Sequence, residues 1–172
     1  MSYRLQVEAI EARSLMPFDF NGWSDPYCQI IYSKKTKIGK TDYIKRTLNP
    51  VWKKTFFKYL DIDFSESIRI EIYDHDTLGD DFMGQVEIPL QEYSDGKWSR
   101  KWYRLMDKKN KRFTRGYVHV QVQVVPEGVD ASLEGDRRPG DDAPLVRNLH
   151  ISSITQPEPE QGEQVADEES II

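Results

Sequence analysis

Strict alternation of apolar and polar side chains constrains this chain more than any other feature. It appears at Leu5/Val7/Ala9, Ile68/Ile70/Ile72, Val86/Ile88/Leu90 and Val118/Val120/Val122/Val124. In an extended backbone, residues two apart share a face, so each of these segments must lay an apolar face on a second layer. Between them, Pro26–Ser33, Thr36–Lys45, Lys54–Leu60 and Lys101–Leu105 are rich in Tyr, Phe, Ile and Thr and read as further strands. Turn clusters separate the runs: Asp19-Phe-Asn-Gly22, Asn49-Pro50, Asp76-Thr-Leu-Gly-Asp-Asp81 and Ser94-Asp-Gly96. About eight short strands so spaced predict an all-β, eight-stranded antiparallel β-sandwich. No stretch has a sustained helical period, and none approaches the ~18 consecutive apolar residues of a membrane-spanning helix.

The composition changes near Pro126. All 4 Trp, 9 Tyr and 7 Phe lie in residues 1–126, and residues 127–172 contain no aromatic side chain. The second segment is rich in Gly, Pro, Glu, Gln and Asp, cannot bury enough surface to offset its ordering entropy, and is expected to be a disordered acidic tail. Its short apolar run, Leu145 to Ile154, is a candidate docking element. Charge divides the same way. The chain's net charge of -5 averages a basic 1–126, with 21 basic against 17 acidic residues, and an acidic tail, with 12 acidic against 3 basic. The acidic total is therefore no argument against an anionic membrane partner. The single Cys28 allows no intrachain disulfide, and the N-terminal alternation lacks the apolar core of a signal peptide. Both fit a cytoplasmic protein.

The acids concentrate in two loops, Phe18-Asp19 through Asp25-Pro26 and Asp74-His-Asp76 through Asp80-Asp81. Turn chemistry alone explains one or two aspartates. Six carboxylates (Asp19, Asp25, Asp74, Asp76, Asp80 and Asp81) repel one another unless a cation lies among them. Calcium takes 6–8 oxygens at roughly 2.3–2.6 Å, and short carboxylates on turns supply them. An EF-hand is excluded: counted from Asp74, its fifth position is Leu78, its twelfth is Gln85 and its flanks are strands.

Together these residues resemble a known family, the C2 domain of protein kinase C and the synaptotagmins. The motifs are Ala12-Arg-Ser-Leu15, Asp19, Ser24-Asp-Pro-Tyr27, Thr47-Leu-Asn-Pro-Val-Trp52, Tyr73-Asp-His-Asp76, Asp81-Phe-Met-Gly84 and Trp102-Tyr-Arg-Leu105. The resemblance covers about 1–126. It implies a sandwich with calcium loops at one end and about two bound Ca2+ ions, within a range of one to three. The implied ligands are Asp19, Asp25, Asp74, Asp76 and Asp81, with Asp80 a substitute and the backbone carbonyls of Phe18 and His75 completing the shell. Four residues separate Asp76 from Asp81, where the family pattern usually has five. No strand precedes Tyr3–Ala12 and a strong one follows at Gly116–Val125, which resembles the permuted, type II, strand order.

Apolar residues beside the acids, Phe20, Trp23 and Leu78, are candidates for insertion at a membrane interface. A basic face of Lys34, Lys35, Lys37, Lys40, Lys45, Lys53 and Lys54 is a candidate contact for phosphatidylserine or phosphoinositide headgroups. The family's phosphoinositide cluster is matched by Tyr27 and Lys40, whereas Asp42, Tyr73 and Asp80 depart from it. A further basic run, Lys108-Lys-Asn-Lys-Arg112, reads as a loop. The final Ser170-Ile171-Ile172 fits the carboxyl-terminal pattern taken by PDZ domains. No catalytic constellation and no nucleic-acid module is evident. The function expected is calcium-dependent binding to anionic phospholipid membranes by a non-enzymatic targeting or adaptor module, which moves to the cytoplasmic face of membranes when calcium rises. The alternative is a calcium-independent protein-interaction scaffold on the same fold.

Overall fold

The computed structural model describes residues 1–130. The tail readings, including Leu145 to Ile154 and Ser170-Ile171-Ile172, lie outside the described residues. Eight strands follow in order: β1 Ser2–Arg13, β2 Pro26–Tyr32, β3 Thr36–Lys40, β4 Val51–Asp61, β5 Ser67–Asp74, β6 Asp81–Pro89, β7 Ser99–Met106 and β8 Phe113–Pro126. A 3-10 turn, Leu90–Tyr93, follows β6. Every strand pair is antiparallel, in the spatial order β3-β2-β5-β6-β7-β8-β1-β4.

A single pairing, Gln85 with Met106, joins β6 to β7 and divides the sheet into two four-stranded layers. The alternating residues meet between them: Leu5, Val7 and Ala9 of β1 and Val118 through Val124 of β8 join one core with Ile30 of β2 and Ile68, Ile70 and Ile72 of β5. Full burial of each large aliphatic side chain contributes roughly 1.5–3 kcal/mol. The layers also approach at their other edge. The Phe56 ring of β4 lies where a Cβ on Gly39 of β3 would stand. Only a residue without a side chain permits that closure. Cys28 is fully buried in β2, as a small core residue.

β8 lies between β7 and β1, which is the permuted order. It has a geometric consequence. Each connection that follows an odd-numbered strand falls at one end of the sandwich, so residues 14–25, 41–50, 75–80 and 107–112 share that end. One strand is shorter than the sequence implies. β3 stops at Lys40, because Thr41 bonds Cys28 through both its N–H and its hydroxyl and the Ile44 N–H turns back to the Pro26 carbonyl at 3.1 Å. Asp42 and Tyr43 consequently stand exposed in a loop.

On the outer face of β8, His119 stacks on Trp102 of β7 at 4.5 Å, and the Arg13 guanidinium covers the same indole at 4.8 Å. Burial, outweighing the attraction of Glu11 and aided by repulsion from Arg100 and Arg13, pushes the imidazole pKa down to about 4. The folded state then resists protonation that the unfolded chain accepts at about 6.5. Stability therefore falls as pH drops from about 6.5 toward 4, by an amount that the partial solvent exposure of the ring reduces. Urea denaturation at pH 7 and pH 4.5 should show this loss, and His119→Gln should reduce it.

Candidate functional site

The loop following β1 closes on itself at its tip. The Asp19 N–H donates to the Trp23 carbonyl and the Gly22 N–H to the Asp19 carbonyl, both at 3.0 Å, with Gly22 at φ 81° where a side chain would be strained. The Asn21 carboxamide accepts the Trp23 N–H. This tight turn holds Phe20 fully exposed and leaves Trp23 at 47% exposure. Lower in the loop, Ser24 is buried. Its hydroxyl accepts the Phe18 N–H and donates to the Met16 carbonyl, fixing the segment between Phe18 and Asp25.

Asp74, the last residue of β5, is only 2% exposed. Its Oδ1 accepts the Asp25 N–H at 2.6 Å, and the His75 N–H donates to the Asp25 carbonyl at 2.9 Å. The first and third loops are thus joined at their bases through two aspartates. The Asp25 carboxylate is itself oriented by the N–H of Arg46, which adopts left-handed backbone at φ 53° to deliver it. That conformation costs about 1–2 kcal/mol, which a hydrogen bond to an anion helps to offset. Register places Asp81 directly opposite Asp74, and the alternation that turns Tyr73 and Phe82 outward turns this acidic pair to the other face.

Burial holds the Asp74 carboxyl above the ordinary carboxylate range, and the charges of Asp19 and Asp25 push it further the same way. The Asp25 N–H, which Asp74 accepts, and the nearby Ser24 hydroxyl only partly oppose this. The side chains are hard oxygen donors carried by two neighbouring loops, the donor chemistry that a hard divalent cation takes. Among the described residues, no group of three or more His, Cys, Asp or Glu side chains is placed so that it could hold a metal ion.

The structure separates Asp80, offered by the resemblance only as a substitute ligand, from Asp81. Asp80 is already engaged: Oδ1 accepts the Asp76 N–H at 3.1 Å and faces His75 Nδ1 at 3.2 Å, while Oδ2 accepts the Tyr27 hydroxyl at 2.5 Å. The Tyr27 bond, then the Asp76 N–H and His75, lower its pKa. Asp80 thereby acts as a strut of the third loop. Asp81 is exposed at the mouth. Asp76 Oδ1 accepts the Thr77 hydroxyl and the Leu78 N–H, a local turn that leaves Leu78 96% exposed at the tip. Two positioning groups were not legible in the sequence: Arg46, and Tyr43, whose ring stacks on His75 at 4.2 Å. Both lie in the 41–50 loop, which carries no acidic signature at the positions that matter.

The seven lysines are all exposed, but they do not form one face. Lys34 and Lys35 occupy the β2–β3 turn at the end far from the aspartates, and Lys45 sits in the 41–50 loop. Lys37 and Lys40 lie on β3, Lys53 and Lys54 on β4, flanking the edge-to-edge seam where Lys58 Nζ donates to the Lys37 carbonyl. On the outer face, Lys40 Nζ lies 4.4 Å over the Tyr27 ring, which stacks on Tyr73; Tyr73 in turn meets Phe82 edge-on.

Comparison with known proteins bears on the family and the fold. A family model described as "C2 domain" matches residues 3–105. A relative from Rattus norvegicus, "Multiple C2 and transmembrane domain-containing protein 1", is 36% identical over 75% of this chain and 13% of its own length. "Ras GTPase-activating protein 4" of Mus musculus is 33% identical over 76% of this chain and 17% of its own. The chain thus spans under a fifth of these relatives. Among solved structures, a C2 domain of plant Extended Synaptotagmin 1 superposes with a TM-score of 0.63 at 23% identity, covering 72% of this chain and 94% of that one. A calcium-bound pair of C2 domains from Extended-Synaptotagmin 2 superposes with a TM-score of 0.59 at 26% identity, covering 70% of this chain and 45% of that one. No helix among the described residues is long and apolar enough to cross a membrane.

The acidic cluster predicts a stability effect. A carboxyl whose folded pKa is raised favours the folded state while protonated and opposes it once ionised, so stability is lost as pH rises through that pKa. Asp74→Asn removes the charge and keeps an acceptor for the Asp25 N–H. In calcium-free buffer at pH 7 its melting temperature should rise above that of the natural sequence. Scanning calorimetry of both proteins checks this.

Proposed function

The chain belongs to the C2 domain family, and from that premise we propose that it is a non-enzymatic module that binds anionic phospholipid membranes when calcium occupies its aspartate loops. What supports this reading is the hydrogen bond that ties Asp25 to the buried Asp74, with the charge of Asp19 acting on the same carboxyl, below the exposed tips of Phe20 and Leu78. The family relationship itself points to membrane or lipid binding.

Asp19, Asp25, Asp74, Asp76 and Asp81 would hold about two calcium ions, with Asp80 supporting the loop. Bound calcium supplies positive charge and open coordination positions that phosphate or carboxylate oxygens of lipid headgroups complete. Without it, the carboxylates repel an anionic surface. Phe20 and Leu78 project from the two loop tips beyond the acids, so whatever draws the loops to a bilayer also presents these side chains to its interface. Each contributes roughly 1.5–3 kcal/mol on full burial. Trp23, half-withdrawn, suits the headgroup level. Lys40 beside Tyr27 gives a further contact for phosphatidylserine or phosphoinositide headgroups. A protein of this design works at the cytoplasmic face of membranes during a calcium rise.

Co-sedimentation with phosphatidylserine/phosphatidylcholine vesicles tests the proposal. The natural sequence should sediment with calcium and stay in solution with chelator. Asp25→Asn/Asp74→Asn should abolish the calcium response. Phe20→Ala/Leu78→Ala should weaken calcium-dependent binding at least tenfold, since even half-burial of both side chains is worth more than about 1.4 kcal/mol. Calcium-dependent sedimentation that survives Asp25→Asn/Asp74→Asn overturns the aspartate site, and absence of any difference between calcium and chelator favours a calcium-independent scaffold.

A further inference from the structure

The basic run Lys108-Lys-Asn-Lys-Arg112 forms the β7–β8 connection, and the permuted strand order puts it at the same end as the aspartate loops. Register fixes this placement. Arg13, the last residue of β1 before the first aspartate loop, pairs with Tyr117 of β8, which pairs with Arg104 of β7; Met106 then pairs with Phe113 across the mouth of the basic loop. On its other side the loop touches the base of the third aspartate loop. Lys108 Nζ lies 5.0 Å over the ring of Phe82, the residue next to Asp81.

The loop is built rather than slack. The Asp107 carboxylate accepts the N–H groups of Lys109 and Lys111 at 3.2 and 2.9 Å, and the Asp107 N–H donates to the Arg112 carbonyl at 2.8 Å. Asn110, in left-handed backbone at φ 54°, accepts from the buried Gln85 amide at 2.9 Å and donates to Glu87. The backbone and the polar Asp and Asn side chains are thus turned inward. Lys108, Lys109, Lys111 and Arg112 are all exposed, and none is in an ion pair among the described residues. Four cations are therefore held by a fixed frame beside the acidic mouth.

We propose that this β7–β8 loop is a second membrane contact, which engages anionic lipid headgroups next to the patch reached by the aspartate loops and so fixes the tilt of the domain on the bilayer. The inference rests on the membrane reading above. Its occupant is an anionic bilayer: four like charges along an exposed rim suit an extended negative surface, and the exposed tips of Phe20 and Leu78 at the same end define where that surface lies. The acidic mouth beside the loop opposes this attraction until it is neutralised. The loop's contribution is consequently largest in the calcium-loaded state, and the two contacts act together.

Lys109→Gln/Lys111→Gln tests it, because both residues support the loop only through backbone N–H groups that Gln retains. Each basic group near an anionic surface is worth about a fivefold gain in binding. With calcium at low ionic strength, the double variant should bind phosphatidylserine/phosphatidylcholine vesicles roughly 25-fold more weakly, with a shallower salt dependence. Lys34→Gln/Lys35→Gln, the same charge change at the far end, should stay within about twofold of the natural sequence. Calcium heats without vesicles should persist in both variants, which separates a lost lipid contact from a damaged calcium site. Equal weakening by the two variants, or no weakening by Lys109→Gln/Lys111→Gln while the natural sequence sediments with calcium, overturns the second contact alone. Failure of the natural sequence to sediment under any calcium condition overturns the membrane reading together with it.

Discussion

The hydrogen bond from the Asp25 N–H to the Asp74 carboxylate organises the functional end of the molecule. It joins the loop preceding β2 to the end of β5, two segments 49 residues apart, and it does so with a side chain that is almost wholly buried and whose charge is only partly balanced. Around it, the Arg46 N–H orients Asp25, Ser24 secures the loop above, and Asp80 braces the third loop through Tyr27, His75 and Asp76. The result is a set of carboxylates fixed near one another by the fold and unfavourable by their own electrostatics. A positive charge among them would relieve that repulsion.

Strand order then decides what surrounds those carboxylates. Because β8 inserts between β7 and β1, the β7–β8 connection joins the other three odd-to-even loops at one end. The acidic mouth is bracketed by cations, Lys45 and Arg46 on one side and Lys108 through Arg112 on the other. Apolar tips stand between. An anionic surface would meet attraction at the rim, repulsion at the centre until a cation enters, and apolar insertion once contact is made. Composition alone, with a net charge of -5, conceals this arrangement.

Most of the fold was legible in the sequence because period-two alternation reports directly on burial: Leu5/Val7/Ala9 and Ile68/Ile70/Ile72 face the core as read. The acids were legible because six carboxylates in two turns exceed what turn chemistry explains. What escaped detection depends on pairing across the chain. β3 ends at Lys40 because Thr41 and Ile44 bond β2, a tertiary event with no local signature. That Asp80 braces the loop follows from its partners Tyr27 and His75, which arrive from β2 and from the preceding loop residues. The lysines looked like one face because they are close in sequence, yet a reversal at Ser33–Lys35 carries two of them to the opposite end. The run at 108–112 could be read as a loop, but its position beside the acids required the strand order.

The central claim is that the aspartate loops take up calcium and that an anionic surface strengthens that uptake. Calorimetric titration of calcium into the full chain, with and without phosphatidylserine vesicles, tests it most directly. Saturable binding of about two ions is expected, with tighter apparent affinity when vesicles are present. Absence of calcium-binding heat in both titrations, with no change in melting temperature on adding calcium, would contradict it.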